Sequence, residues 1–395
     1  MIKIYTITSE LHDAQSIDAA TREFLGQMTF DFQFRGADFS DYGSAALSLI
    51  YVRTGGTENV FLQLLPQLLR QSSQPFYLLT SGKSNSLAAS MEILSYLRSH
   101  EMQGEILHGS TQYLCDRIAI LAKVSEARKV LNGTRLAVVG KPSDWLIASS
   151  YDAVQVKHRL GIELLDVPLE DIISSVLAQG EKSDVTNYFP VAERIYDALH
   201  QMTVVHRLNG FTIRCFDLLT ALHNTGCLAL ARLNSQGFVA GCEGDVPAML
   251  TMAIVRSLTG VSGFQANPSV VDVETGQLLL AHCTIPLDMC SRYEYDTHFE
   301  SGIGVAIRGT VSEGPVTIVK VSGDIRRCFV EEGMLLSNER RSDLCRTQLL
   351  VKLDTPSAAN YFLTNPIGNH HIVVSGRWKS AVTELLDSMA WKCRT

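Results

Sequence analysis

The chain has no basic stripe. Lysine and arginine number 34 against 41 aspartate and glutamate, a net charge of −7, and no long run carries one sign. Nucleic acid and anionic membrane surfaces are therefore poor partners, because both select clustered positive charge. No segment approaches 18 uninterrupted apolar residues, so no transmembrane helix is expected. The opening MIKIYTITSELHD lacks the basic-then-apolar layout of a secretory signal and reads as a first β-strand. The nine cysteines are scattered without a single C-x-x-C pair, which excludes a zinc ribbon and a thioredoxin motif. A reducing cytoplasm fits such usage, with each cysteine read as a small buried apolar residue. No G-x-S-x-G occurs, so a nucleophile elbow is absent. Gly82-Lys-Ser resembles half of a phosphate loop, but Tyr77 stands where the first glycine must be. Gly302-Ile-Gly304 has no third glycine in register.

What is present is ample core material. Apolar residues make up 46% and charged residues 19% of 395, enough for about two to three domains at 100–200 residues each. The first part alternates strands and helices. Ile2–Thr8, Ser48–Arg53, Phe76–Thr80 and Glu105–His108 read as strands; Glu58–Leu69 and Ser86–Arg98 have helical spacing. Such alternation predicts a parallel sheet covered on both faces. A second unit of the same type begins near Arg128. Its strands are Thr134–Val139, Gly161–Val167, Gly210–Leu218, Gly237–Cys242 and, last, Phe264–Ala266. Its helices include Val191–Val204, Leu228–Leu233 and Pro247–Leu258, and Gln179–Asn187 is its longest polar linker candidate. After Pro268 short apolar runs punctuated by glycine replace the helical periods. They predict a mainly antiparallel β domain ending in a helix, Trp378–Met389. The expected fold class is α/β: two Rossmann-like domains, 1–127 and 128–267, then a β domain, 268–395.

Ligands of open α/β sheets bind beyond the carboxyl ends of strands. Glu243, in GCEGDVP, and Asn267, in FQANPSVVD, both sit at such ends. Glu243 precedes a helix inside an apolar context, where an unpaired charge is costly. Asp245 has two readings: an N-cap for the helix that Pro247 opens, or a catalytic partner of Glu243. The β domain adds His282, closing LLLAH, and His370, in NPIGNHHIVVSG. His371 faces the other way if that stretch is a strand, because side chains alternate. One carboxylate, one amide and two imidazoles make a mixed N/O donor set for a divalent metal with positions left for substrate. Trp145, in GKPSDWLIAS, is a candidate to stack on a sugar or to anchor its loop. Arg53 and Lys83 are read as solvated loop charges before ligands of an acidic sugar.

The segments GCEGDVPAMLTM, FQANPSVVD, LLLAHCTIP and GNHHIVVSG together resemble the L-fucose/L-arabinose isomerase superfamily in order and approximate spacing. The resemblance implies that Glu243, Asn267, His282 and His370 hold manganese or a similar ion, with Glu243 moving the proton. It implies a sugar substrate, interconversion of an aldose and a ketose through an enediol, and a homo-oligomer, hexameric or trimeric. A neighbour's first domain would line the site. Asn267 departs from the family's second acid. An amide oxygen can coordinate a metal, but it is no base near neutral pH. Glu243 would then carry the proton both ways, or share it with Asp245. Two other readings stand beside this one: a cytoplasmic sugar-binding or sensor protein without catalysis, and an epimerase or aldolase of the same metal-enediol chemistry.

Overall fold

The computed structural model describes residues 1–72, 75–182 and 187–389. Two compact units divide the chain, Met1–Glu126 and Ala127–Thr395. Of the polar stretch Gln179–Asn187, residues 183–186 lie outside the described residues. Among the described residues no helix is long and apolar enough to cross a membrane.

In the first unit, strands β1 (Ile2–Ile7), β2 (Phe32–Gly36), β3 (Leu47–Val52), β4 (Phe76–Leu79) and β5 (Gly104–Leu107) form one sheet ordered β2-β1-β3-β4-β5. Every neighbouring pair is parallel. All six residues of β3, LSLIYV, are buried, as a strand covered by helices on both faces requires. Helices Glu58–Gln71 and Ser86–Ser99 bury Phe61, Leu65, Ile93 and Leu97 in one of its cores. The sequence reading missed helix Thr111–Leu131, whose apolar residues are spread around the whole circumference and so carry no helical periodicity.

The second unit opens with strands β6 (Arg135–Val139), β7 (Glu163–Val167), β8 (Gly210–Ile213) and β9 (Val239–Gly241), a parallel sheet ordered β7-β6-β8-β9. The strand expected over Gly210–Leu218 stops at Ile213. The Cys215 amide donates to the Ile213 carbonyl at 2.8 Å, which turns the chain into a short helix, Asp217–Leu222.

Phe264–Ala266 does not close this sheet, contrary to expectation. It begins β10 (Phe264–Asp272), which pairs antiparallel with β11 (Gln277–His282) and with a strand far downstream. Pro268 did not end the strand because the register shifts between Pro268 and Val270. Such a bulge absorbs the missing N–H. Next comes a two-stranded ribbon of β12 (Arg292–Asp296) and β13 (Ala306–Thr310). Then come β14 (Gly314–Val321), β15 (Cys328–Asn338), β16 (Thr347–Leu353) and β17 (His371–Ser375). With β10 and β11 these four close an antiparallel barrel in the order β10-β11-β16-β15-β14-β17. Closure removes the free edges that an open sheet would expose. Phe264, Ala266, Leu278, Leu280, Leu349, Val351 and Val373 alternate inward to fill its core. Helix Lys379–Ser388 follows β17 and packs on β15.

One helix joins the two halves of this unit. Val246–Thr259 packs against β8 and β9 on one side and against β14 and β17 on the other. It is accordingly buried around nearly its whole circumference, from Val246 through Val255. Its first turn therefore lies where the parallel sheet meets the barrel.

Candidate metal centre

Glu243 stands in the turn between β9 and that joining helix. Its φ is +62°, and Gly244 follows at +69°. A non-glycine residue in this region costs on the order of 1–3 kcal/mol and needs neighbours that enforce it. Two hydrogen bonds do so: Ser143 N–H to the Glu243 carbonyl at 3.0 Å, and Gly244 N–H to the Ile213 carbonyl at 2.9 Å. Gly244 admits no side chain, since a Cβ there would lie 2.6 Å from the Lys141 carbonyl oxygen. The turn throws the Glu243 side chain back over the strand tips, and it is 8% exposed.

The two oxygens of Glu243 are used differently. Oε2 accepts from the Trp145 indole N–H at 2.7 Å. Oε1 lies 3.6 Å from Nε2 of His282 and 3.4 Å from Nε2 of His370. His282 ends β11, and His370 immediately precedes β17. Both histidines are buried and their rings lie 5.3 Å apart, edge to face. Ligand atoms of the three residues all fall within 4.8 Å of one another.

Those distances suit a shared cation better than direct hydrogen bonds. Donor and acceptor at 3.4–3.6 Å are past ordinary hydrogen-bond range. Two ligands each about 2.0–2.2 Å from one ion stand roughly 3.0–3.5 Å apart at octahedral or tetrahedral angles. Nε2 of His370, the atom that faces Glu243, is buried without a hydrogen-bond partner among the described residues. Buried polar atoms are rarely left so. The residues present therefore fit a divalent ion. A set of two imidazoles and a carboxylate does not choose among manganese, zinc, cobalt and iron.

Asp245 lies behind His370, not at the cavity. Its Oδ1 accepts from Ala248 N–H at 2.8 Å, the N-cap of the joining helix. The Nδ1–H of His370 donates to its Oδ2 at 2.8 Å. The Lys320 ammonium, on β14, is 3.6 Å from the same oxygen. Both side chains of that ion pair are at most 1% exposed. Burial pushes the Asp245 carboxyl up, but the Lys320 charge and the His370 hydrogen bond outweigh it and hold it at about 2. Burial pulls His370 down, yet the Glu243 charge and the Asp245 contact win and raise it to about 9. Glu243, lifted by burial, is carried below the usual carboxylate range by His370 and His282. Asp245 is not among the residues that line the cavity; its carboxylate accepts from His370 and orients that ring.

His371 points away from the site. Its Nε2 meets the Tyr361 hydroxyl at 3.1 Å and its Nδ1 the Asn369 carbonyl at 2.9 Å. Asn267 lines the same cavity as Glu243 and His282, and its Oδ1 accepts from the Asn369 side-chain amide at 3.1 Å. It sits in β10 beside β11, not on a parallel strand next to β9. The wall of this cavity also includes Phe216, whose ring meets Trp145 edge-on at 4.8 Å and His298 at 5.4 Å. His298 was not among the sequence candidates. It is buried, held by Ser301 at 3.0 Å, and kept near about 4 by burial and the neighbouring His282. Lys320 was missed as well. Its only sequence signal is a lysine inside the β-branched run TIVKV. In the first unit Arg53 pairs with Asp18 at 2.6 Å and Lys83 with Glu23 at 3.4 Å, so both have partners within that unit.

No family model matches the chain. The chain is similar to the sulfoquinovose isomerases of Priestia aryabhattai and Priestia megaterium (strain ATCC 12872 / QMB1551). It is 22% identical to each over 282 residues, which cover 65% of this chain and 63% of each relative. It is also similar to the sulfoquinovose isomerase of Clostridium sp. (strain MSTE9), 23% identical over 207 residues, 47% of this chain and 45% of that one. The chain thus spans less than two thirds of the length of the relatives it matches.

Proposed function

We propose that the chain is a metal-dependent sugar isomerase, interconverting an aldose and a ketose, of the kind found in the L-fucose/L-arabinose isomerase superfamily. The observation that carries this is the convergence of Glu243, His282 and His370, with His370 oriented from behind by Asp245. The similarity to sulfoquinovose isomerases supports it and makes a sulfonated sugar the first substrate to try.

Glu243, His282 and His370 would hold the ion, and the Asn267 side-chain oxygen would be the fourth ligand. When bound, a divalent ion supplies Lewis-acid stabilisation for negative charge on the sugar oxygens. The rest falls to the chain. Glu243 is ionised through the neutral range, so its carboxylate can take the proton from the carbon beside the carbonyl. Asn267 cannot relieve it of that proton, and Asp245 faces away, so Glu243 returns the proton at the adjacent carbon. Trp145 holds Oε2 by its indole N–H and thereby fixes which oxygen swings toward the sugar. His298, neutral at pH 7, can donate to or accept from a sugar hydroxyl in the cavity.

The test is solvent deuterium uptake into sulfoquinovose and a panel of aldoses and ketoses, with manganese present, followed by NMR. Uptake at one carbon with formation of the paired sugar is expected, and Glu243→Gln abolishes it while leaving the fold intact. Normal turnover by Glu243→Gln would overturn the mechanism. Uptake without the ketose would favour an epimerase. Binding without any uptake would favour a sensor.

A further inference from the structure

Five cysteines, Cys215, Cys227, Cys242, Cys283 and Cys345, line the cavity that holds Glu243. Scattered in sequence, they are gathered by the fold around one site. Two of them are in direct contact. Cys215 follows β8 and Cys242 follows β9, adjacent parallel strands, and their Sγ atoms are 3.1 Å apart. Both are free thiols, 6% and 3% exposed.

We propose that Cys215 and Cys242 are an oxidative modification site: peroxide joins them in a disulfide, and the bond disables the Glu243 turn. Burial of both sulfurs demands a small oxidant, and hydrogen peroxide meets that demand. The Cys215 sulfur attacks a peroxide oxygen as its thiolate, which breaks the O–O bond, releases hydroxide and leaves a sulfenic acid. The second thiol displaces the sulfenic oxygen as water, forming the S–S bond. In sum two thiols lose two electrons and two protons, and one peroxide becomes two waters.

A disulfide requires sulfurs about 2.05 Å apart and Cβ atoms near 3.8 Å. The sulfurs must therefore close by about 1 Å. The Cys242 sulfur is carried by the residue directly before Glu243. That segment is held tightly: the Cys242 N–H donates to the Gln265 side chain at 2.9 Å, and its carbonyl accepts from Thr212 at 3.3 Å. Glu243 itself is at φ +62°. A shift of this size in a segment so fixed moves the Glu243 carboxylate relative to His282 and His370. The consequence for the ion rests on the function proposed above; the cross-link does not.

The experiment treats the full chain with stoichiometric hydrogen peroxide. Peptide mass mapping should find Cys215 joined to Cys242, with a loss of two hydrogens that dithiothreitol reverses. Manganese binding, followed by electron paramagnetic resonance, should weaken at least tenfold on oxidation and recover on reduction. In Cys215→Ala the affinity, whatever its starting value, should not change on peroxide treatment. The proposal is overturned if Cys215 and Cys242 stay reduced while other thiols react. It is also overturned if the cross-link forms and the ion binds as before. Should the reduced protein bind no manganese, the isomerase reading fails, and the cross-link alone decides whether this pair is a modification site.

Discussion

The Nδ1–H of His370 donates to Oδ2 of Asp245 over 2.8 Å, with both side chains fully buried. The bond settles which nitrogen of His370 keeps its proton once the ring is neutral, and so turns the Nε2 lone pair toward Glu243. Carboxylates in this position orient metal-ligating histidines and raise their basicity. Asp245→Asn should therefore weaken manganese affinity by about 10- to 100-fold, measured by titration calorimetry, with the circular dichroism spectrum unchanged. An affinity equal to that of the parent protein would remove Asp245 from the site.

Lys320 is the other neighbour of Asp245, 3.6 Å away, and its ammonium has no hydrogen-bond partner among the described residues. Removing one member of a buried ion pair strands the other charge, at a cost of about 3–5 kcal/mol. Lys320→Met should lower stability by that amount in urea unfolding. Adding Asp245→Asn should return part of it, because the stranded charge is gone. Additive losses in the double variant would show that the two side chains do not interact.

The candidate ligands were legible in the sequence because each stands at a change of texture. Glu243 follows an apolar strand, His282 closes one and His370 precedes one. What joins them was not legible. Asn267 was placed beside Glu243 by assuming that consecutive strands share a sheet, whereas β10 belongs to the barrel and reaches the site from the other side. The parallel sheets were readable from strand–helix alternation, but helix Thr111–Leu131 was not, since its apolar residues mark no face. Lys320, and the tie of Trp145 to Glu243, escaped for another reason. Their roles depend on partners 75 and 98 residues away, and nothing local to either residue encodes such a partner.

His370 gives a pH dependence with a definite sign. In the metal-free protein its pKa is about 9, above the unfolded value of about 6.5. A raised pKa means that the folded state binds the proton more tightly. The resulting stability is fully present below about pH 6.5 and is lost as pH rises towards 9. The metal-free protein should therefore lose stability across that window, and His370→Gln should flatten the loss. The same proton competes with an ion for Nε2, so manganese affinity should rise over the same range. Calorimetric unfolding and manganese titrations at pH 6, 7, 8 and 9 check both. A manganese affinity independent of pH would mean that His370 is not a ligand.

Trp145 offers the finest test of Glu243's role, because it touches the carboxylate through one hydrogen bond while half of its own surface is exposed. Trp145→Phe removes the indole N–H and keeps a ring against Phe216. A hydrogen bond to a charged group is worth about 1.5–3 kcal/mol, so the turnover number should fall at least about tenfold, with little change in KM. The lost bond favoured the ionised carboxylate, so the acid limb of the pH–rate profile should also move to higher pH. A mere loop anchor would lower stability and leave that limb in place. Trp145→His, which keeps a ring N–H, should recover part of the rate; no recovery, together with an unmoved acid limb, would assign Trp145 to packing alone.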